Sequence, residues 1–239
     1  MKFIDMHCHI IPYVDDGATD MEEAVKMLRE AYKEGIMYFV ATPHYHPIRG
    51  TASKDMLNEQ LVQLRKEAKS IDEKIKIFIG HEIYFGQDVP KLIENKEIFS
   101  INRRGYVLVE FSPTAEAGYI RQGVQQIQAK GYKVVLAHVE RYKCVQKDRD
   151  LLYDLHRMGI HFQINASSIT WKAGMKTRKF VRGLMEEDMV FCVGTDAHNM
   201  KTRPPHMRKA AEYVEKKYGK EYARRIFFSN AAMMLKNQE

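Results

Sequence analysis

Tyr106-Val107-Leu108-Val109-Glu110 and Val134-Val135-Leu136-Ala137-His138 are the stretches that decide the fold. Each is a short, almost unbroken apolar run ending on a side chain that can bind a metal or move a proton. A strand with one wet face alternates apolar and polar residues. A run apolar on both faces marks a parallel strand buried between layers. Five more strands are predicted on either side, at Phe3–Asp5, Tyr38–Ala41, Ile75–Ile79, His161–Ile164 and Val190–Val193.

Amphipathic stretches separate these runs. Asp20 followed by Glu23 has the form of a capping box, and Met21, Ala24, Val25, Leu28, Ala31 and Tyr32 then recur at helical spacing until Gly35 stops the run. Leu57, Leu61, Leu64, Ala68 and Ile71 form a second stripe, read as core packing. A helical segment is expected over Thr177–Glu187, and helices over Pro205–Tyr218 and Lys220–Lys236 are predicted to close the chain. Regular strand–helix alternation predicts a parallel α/β architecture, and seven units fit a β/α barrel better than an open sheet. No repeat, low-complexity tract or linker divides the 239 residues, so 1–239 is read as one domain.

Composition narrows the class. Hydrophobic residues at 45% and charged residues at 29% exclude disordered and fibrous proteins. No uncharged apolar run reaches the roughly 18–20 residues of a membrane-spanning helix. Asp5 interrupts what would be the apolar part of an export signal. Three cysteines, none in a C-x-x-C pair, favour a reducing cytoplasmic setting. The net charge of +7 invites an acidic or phosphorylated partner.

The chemistry lies in what ends each strand. The first is followed by His7-Cys8-His9, the second by Thr42-Pro43-His44 and the third by Gly80-His81-Glu82. The fourth ends in Glu110, the fifth in His138 and the seventh in Asp196-Ala197-His198. In parallel α/β folds the C-terminal strand ends share one crevice, so residues scattered in sequence are expected to converge. His7 and His9, at i and i+2 on an extended segment, can share one ion. Asp15 and Asp16 add carboxylates at the same rim. Imidazoles mixed with carboxylates, without thiolates, suit Mn²⁺, Fe²⁺ or Zn²⁺ in an open catalytic site. Eight or nine such donors exceed the need of one metal, so two or three ions are expected. His46 and His81 flank these positions and are weaker candidates. His156, His161 and His206 lack strand-end placement and are read as packing or surface residues.

These residues carry a resemblance. Asp5-Met6-His7-Cys8-His9-Ile10-Ile11-Pro12 with Asp15-Asp16-Gly17-Ala18 resembles the opening motif of the PHP (polymerase and histidinol phosphatase) metallo-phosphoesterases. Within that family the chain most resembles the bacterial manganese-dependent protein-tyrosine phosphatases of capsule and exopolysaccharide loci. Ala41–His44, Gly80–Ile83, Leu108–Phe111, Ala137–Tyr142, Gly194–Asn199 and Ser229–Ala231 follow in the expected order, so the likeness spans essentially the whole chain. It implies a distorted TIM-like β/α barrel with up to three ions. By position, His7, His9, Glu82 and Asp196 would hold the first. Glu82 with Glu110 and His138 would hold the second, and Asp16, His44 and His198 the third. Arg141 and Arg203 match arginines expected to grip the phosphate. The resemblance further implies a substrate: a phosphotyrosine protein, the cognate bacterial tyrosine kinase.

Paired ions can acidify a shared water into a hydroxide nucleophile, and the phenolate of tyrosine is a fair leaving group. The thiol-based alternative needs Cys-x5-Arg, but the sixth residue after Cys8 is Val14, after Cys144 Asp150 and after Cys192 His198. A histidinol-phosphate phosphatase would keep the same donors. A nuclease would be expected to carry an aromatic-interleaved basic stripe, which the sequence lacks, and a non-catalytic binding protein would be expected to lack a ligand.

Overall fold

The computed structural model describes residues 1–170 and 173–236. Its strands are β1 (Phe3–Cys8), β2 (Ile36–Ala41), β3 (His44–Tyr45), β4 (Lys76–Ile79), β5 (Glu82–Tyr84), β6 (Tyr106–Glu110), β7 (Lys133–Leu136), β8 (His161–Asn165) and β9 (Val190–Gly194), most of them on the predicted apolar runs. They make a three-stranded sheet, β1-β2-β4, and a six-stranded sheet, β3-β5-β6-β7-β8-β9. Every strand pairing is parallel.

Chain continuity joins the two sheets. β2 and β3 are one run interrupted at Thr42-Pro43, where proline has no N–H to give the ladder. β4 and β5 are one run interrupted at Gly80-His81. Across the breaks, Gly80 N–H donates to Ala41 O (2.9 Å) and Glu82 N–H to Pro43 O (3.2 Å), so the two runs stay side by side. At the other margin Cys8 and Ala197 form a parallel bridge. There Asp196 N–H donates to His7 O (2.7 Å) and His9 N–H to Ala197 O (2.8 Å). The seven predicted strands thus follow one another round a ring, distorted where the runs break.

Two differences from the sequence reading concern the site. β1 extends three residues past Asp5, so His7 lies within the strand rather than after it. β3 and β5, too short and polar to read as strands, each begin on a predicted ligand, His44 and Glu82.

The helices are α1 (Met21–Glu34), α2 (Lys54–Ile71), α3 (Val89–Glu94), α4 (Ala117–Gln128), α5 (Lys143–Lys147), α6 (Arg149–Arg157), α7 (Ala166–Ile169), α8 (Gly174–Glu186), α9 (Arg208–Tyr218), α10 (Lys220–Arg224) and α11 (Asn230–Leu235). The Asp20 side chain caps α1 by accepting from Glu23 N–H (2.8 Å). The reciprocal arm goes one residue further back, Glu23 accepting from Thr19 N–H (3.1 Å). Gly35 ends the helix at φ 97°, a left-handed position natural to glycine. The stripe of α2 buries Leu57, Leu61, Leu64 and Ala68 as expected. The helix predicted from Pro205 begins only at Arg208, and the one predicted over Lys220–Lys236 is interrupted by a π-helical turn at Arg225–Ser229. No helix among the described residues is long and apolar enough to cross a membrane.

Side chains that alternate along the strands fill two apolar layers. The larger lies between ring and helices. The smaller is inside the ring, where Ile4, Met6, Val40, Leu108, Val135 and Cys192 meet Ala231 and Met234 of α11. The Asn230 side chain anchors that helix by donating to Phe191 O (2.8 Å) at the start of β9. One end of the ring is therefore plugged with hydrocarbon, leaving the C-terminal strand ends for polar chemistry.

Packing of α4 supplies a test. A Cβ on Gly123 would lie 2.8 Å from the Phe111 ring and 2.9 Å from Phe85. Gly123→Ala should cost about 1–3 kcal/mol through overpacking, more than the ~1 kcal/mol that alanine adds to helix propensity. Denaturant unfolding measures it, and a variant as stable as the parent would show that the rings can move aside.

Candidate metal centre

The C-terminal strand ends bring the predicted donors together. His7 comes from β1, His9 and Asp16 from the loop after it, and His44 from β3. Glu82 opens β5, Glu110 ends β6, His138 follows β7, and Asp196 and His198 follow β9. Three groups each have ligand atoms within 4.8 Å of one another: His7, His9, Glu82 and Asp196; His44, Glu82 and Glu110; and His9, Asp16, His44 and His198. Glu82 is central. Its Oε2 lies 2.9 Å from His7 Nε2, 3.2 Å from His9 Nε2 and 3.2 Å from His44 Nδ1, while Oε1 lies 2.7 Å from His138 Nε2. His138 Nε2 is also 3.5 Å from Glu110 Oε2, and Asp16 Oδ1 is 3.4 Å from His44 Nε2 and 3.5 Å from His198 Nε2.

Hydrogen-bond partners fix three of the histidine tautomers. Gln163 Oε1 accepts from His138 N–H (2.8 Å), so it also accepts from His7 Nδ1 (3.2 Å), which must carry hydrogen. His9 Nδ1 donates to Asp15 Oδ2 (2.7 Å), and His198 Nδ1 donates to the Asp196 carbonyl (3.0 Å). Each ring thereby turns Nε2 toward the centre. A donating Nδ1 and an inward Nε2 is the arrangement of metal-binding histidines. His7 Nε2 and His9 Nε2 stand only 3.2 Å apart, a distance at which two lone pairs need a shared cation or proton between them. Buried His198 Nε2 makes no hydrogen bond among the described residues, with Asp16 Oδ1 3.5 Å away. The donor set fits divalent cations.

Charge is concentrated here. Burial disfavours the imidazolium of His9, yet Asp15 and Glu82 outweigh it and raise its pKa well above the usual histidine value. His7 is raised likewise, against burial, by Glu82 and Asp196. Burial also works against the Glu82 carboxylate, but His7 and His138 hold it ionised, well below the usual range. Glu110 is pushed up to about 8 by burial and by neighbouring Glu82. His7, His9 and Glu110 are thus disposed to hold protons where cations would sit.

Residues 3–236 match the family described as capsular polysaccharide synthesis, CpsB/CapC. This chain belongs to the CpsB/CapC family. It is 33% identical over 240 residues to the tyrosine-protein phosphatase CpsB of Streptococcus pneumoniae, covering 98% of this chain and 99% of that protein. It is 33% identical over 235 residues to the tyrosine-protein phosphatase YwqE of Bacillus subtilis strain 168, covering 98% and 92%. A solved structure from the study of B. subtilis YwqE and S. pneumoniae CpsB, described as unique metal-dependent tyrosine phosphatases, superposes with a TM-score of 0.91 over 99% of this chain and 95% of that one. The phosphotriesterase of Mycobacterium tuberculosis, 11% identical with a TM-score of 0.62, shares the barrel-type fold.

Around the CpsB/CapC donors stands a layer the sequence reading left unassigned. Buried Gln163 and Asn165 project from β8, the one of the seven predicted strands not followed by a predicted ligand. Gln163 Nε2 donates to Asn165 Oδ1 (3.0 Å), Asn165 Nδ2 donates to Asp196 Oδ2 (2.9 Å), and Glu140 Oε1 accepts from Asn165 N–H (2.9 Å). The polar i, i+2 pair in Phe162-Gln163-Ile164-Asn165 was the available signal. Asp5, whose pKa burial raises to about 6 against hydrogen bonds from Thr195, accepts from Thr195 N–H (2.8 Å) and ties β1 to the end of β9. His138 at φ 32° and Asp196 at φ 55° occupy left-handed backbone that a side-chain-bearing residue adopts at a cost, strain typical of functional sites.

The two arginines stand at the rim but grip protein. Arg141 Nη2 donates to Asp196 Oδ2 (2.5 Å), and Arg203 Nη2 lies 2.5 Å from Asp196 Oδ1. Asn199 Oδ1 accepts from Thr202 N–H (2.7 Å) and Lys201 N–H (3.0 Å), folding the turn that presents Arg203. The weaker candidates lie elsewhere. His81 Nδ1 accepts from Phe99 N–H (2.8 Å), and His46 Nδ1 accepts from Ile48 N–H (3.1 Å). His161 stacks on Phe191 at 3.8 Å.

Protons and cations compete for this centre. His7 and His9, raised, and Glu110, near 8, must release protons to become ligands, so metal binding should weaken as pH falls from about 8 toward 6. Titration calorimetry with Mn²⁺ at pH 7 in buffers of different ionisation enthalpy should show proton release. A buffer-independent enthalpy would count against this ligand set.

Proposed function

We propose that this chain is a metal-dependent protein-tyrosine phosphatase acting in capsule or exopolysaccharide synthesis, working as one domain over 1–239. The supporting observation is the pairing of inward-facing His and carboxylate donors with two arginines at the mouth of a cavity, in a chain whose relatives are named tyrosine-protein phosphatases. Mn²⁺ is the proposed metal, in two or three ions. His7, His9, Glu82 and Asp196 form the first ligand group, Glu82, Glu110 and His138 the second, and Asp16, His44 and His198 the third. The proposed substrate is a phosphotyrosine protein, the cognate bacterial tyrosine kinase, in the cytoplasm. Three free cysteines are in keeping with that compartment.

When bound, divalent ions supply Lewis acidity to phosphoryl oxygens and acidify water toward neutral pH. The chain's own residues do the rest. Arg141 and Arg203 present planar guanidinium donors suited to phosphate oxygens, and charge forming on the phosphoryl group draws them from Asp196. Asp15, Gln163 and Asn165 hold His9, His7 and Asp196 in orientation, so little reorganisation accompanies the reaction. A thiolate route finds no support: Cys8 and Cys192 are buried, and burial raises both thiols far above the range of reactive cysteines.

Phosphate release from a phosphotyrosine peptide, histidinol phosphate and an oligonucleotide, each with Mn²⁺ and with chelator, tests the reading. The peptide alone should turn over, and chelation should stop it; activity surviving chelation sinks the metal assignment, and turnover of histidinol phosphate alone sinks the substrate. Glu82→Ala and His138→Ala should each lower kcat/KM by about 10³-fold or more, since ligand loss disables the centre. Arg141→Ala should lose about 10²-fold through weaker phosphate binding and charge stabilisation, and an unchanged kcat/KM would return Arg141 to the surface.

A further inference from the structure

The cavity beside the metal centre is larger than a phosphate group requires. About 660 Å³ in volume, it is lined by Asp196 and its two arginines, by Ala166 and Pro204, and by Lys209 in the first turn of α9. That is the size of a site for a substantial ligand, here several residues of a peptide. Its walls differ in character: Arg141 and Arg203 contribute guanidinium groups, Ala166, Pro204 and Ala210 offer apolar surface for an aromatic ring, and Lys209 adds an ammonium.

Lys209 is set apart from its charged neighbours. Glu34, also on the cavity wall, accepts from the backbone N–H groups of Met207 (3.0 Å) and Arg208 (2.8 Å) through Oε2, so its charge is engaged in capping α9. His206 Nε2 lies 3.6 Å from Glu30. Arg208 turns away to the Lys33 carbonyl. Among the described residues no carboxylate forms an ion pair with exposed Lys209, which leaves its ammonium to meet an incoming anion.

We infer that this cavity reads an acidic residue flanking the phosphotyrosine, with Lys209 as the specificity-determining side chain. The inference rests on the phosphatase reading and adds to it the class of sequence preferred. Binding energy from a flanking contact made equally in ground and transition states lowers KM and leaves kcat unchanged.

The test uses the full chain with Mn²⁺ and three phosphotyrosine peptides differing only in the flanking residues: glutamate, glutamine or lysine. For the parent protein, KM should be about fivefold lower for the glutamate than for the lysine peptide at similar kcat, the preference shrinking as salt is added. In Lys209→Ala the ratio should fall toward one, and in Lys209→Glu it should invert. Glutamate is compatible with the first turn of a helix, so that variant is expected to fold. Equal KM values in the parent, or a preference surviving both substitutions, overturns the inference while the phosphatase reading stands. No turnover of any of the three peptides overturns both.

Discussion

A buried carboxylate surrounded by imidazoles is the constraint on which this molecule is built. Glu82 is 1% exposed and lies within 3.2 Å of ring nitrogens from His7, His9, His44 and His138. A charge so removed from water is tolerated only when paired and hydrogen-bonded. Its partners come from β1, the loop beyond it, β3 and the turn after β7, so satisfying Glu82 obliges four separate parts of the ring to end at one point. Asp196 imposes a second demand of the same kind, met by Asn165, Arg141 and Arg203.

The rest of the fold accommodates that concentration of charge. Opposite the site, α11 plugs the ring with Ala231 and Met234, so an apolar floor lies beneath a polar mouth. Close approach of backbone serves the site as well: a Cβ on Gly194 would fall 2.5 Å from the Cβ of His7, and only glycine lets β9 lie against that histidine. The left-handed backbone at His138 and Asp196 is a local cost offset by the network through Gln163, Asn165 and Glu140. The centre is thus held by β8, a strand that contributes none of the predicted ligands.

Much of this was legible in the chain. All seven predicted strands lie within or overlap observed ones, because apolar runs buried on both faces need no knowledge of their neighbours. The convergence of His7, His9, His44, Glu82, Glu110, His138, Asp196 and His198 was legible too, since parallel strands must open their C-terminal ends on one side. Less legible were β3 and β5, whose two and three residues owe their extended form to pairing with distant strands rather than to local composition. The placement of Arg203 depends on a turn organised by Asn199, a side-chain contact with no periodic signature.

The amino-acid sequence by itself determined the parallel α/β class, the ligand types and their placement at strand ends, because periodicity and residue chemistry are local properties. Only the tertiary structure decided which nitrogen of each imidazole faces inward, that both arginines meet at Asp196, and that Gln163 and Asn165 of β8 steady the centre. Those features depend on distances between residues far apart in the chain, as between Asp5 and Thr195 or His138 and Gln163. Such distances exist only once the chain has folded.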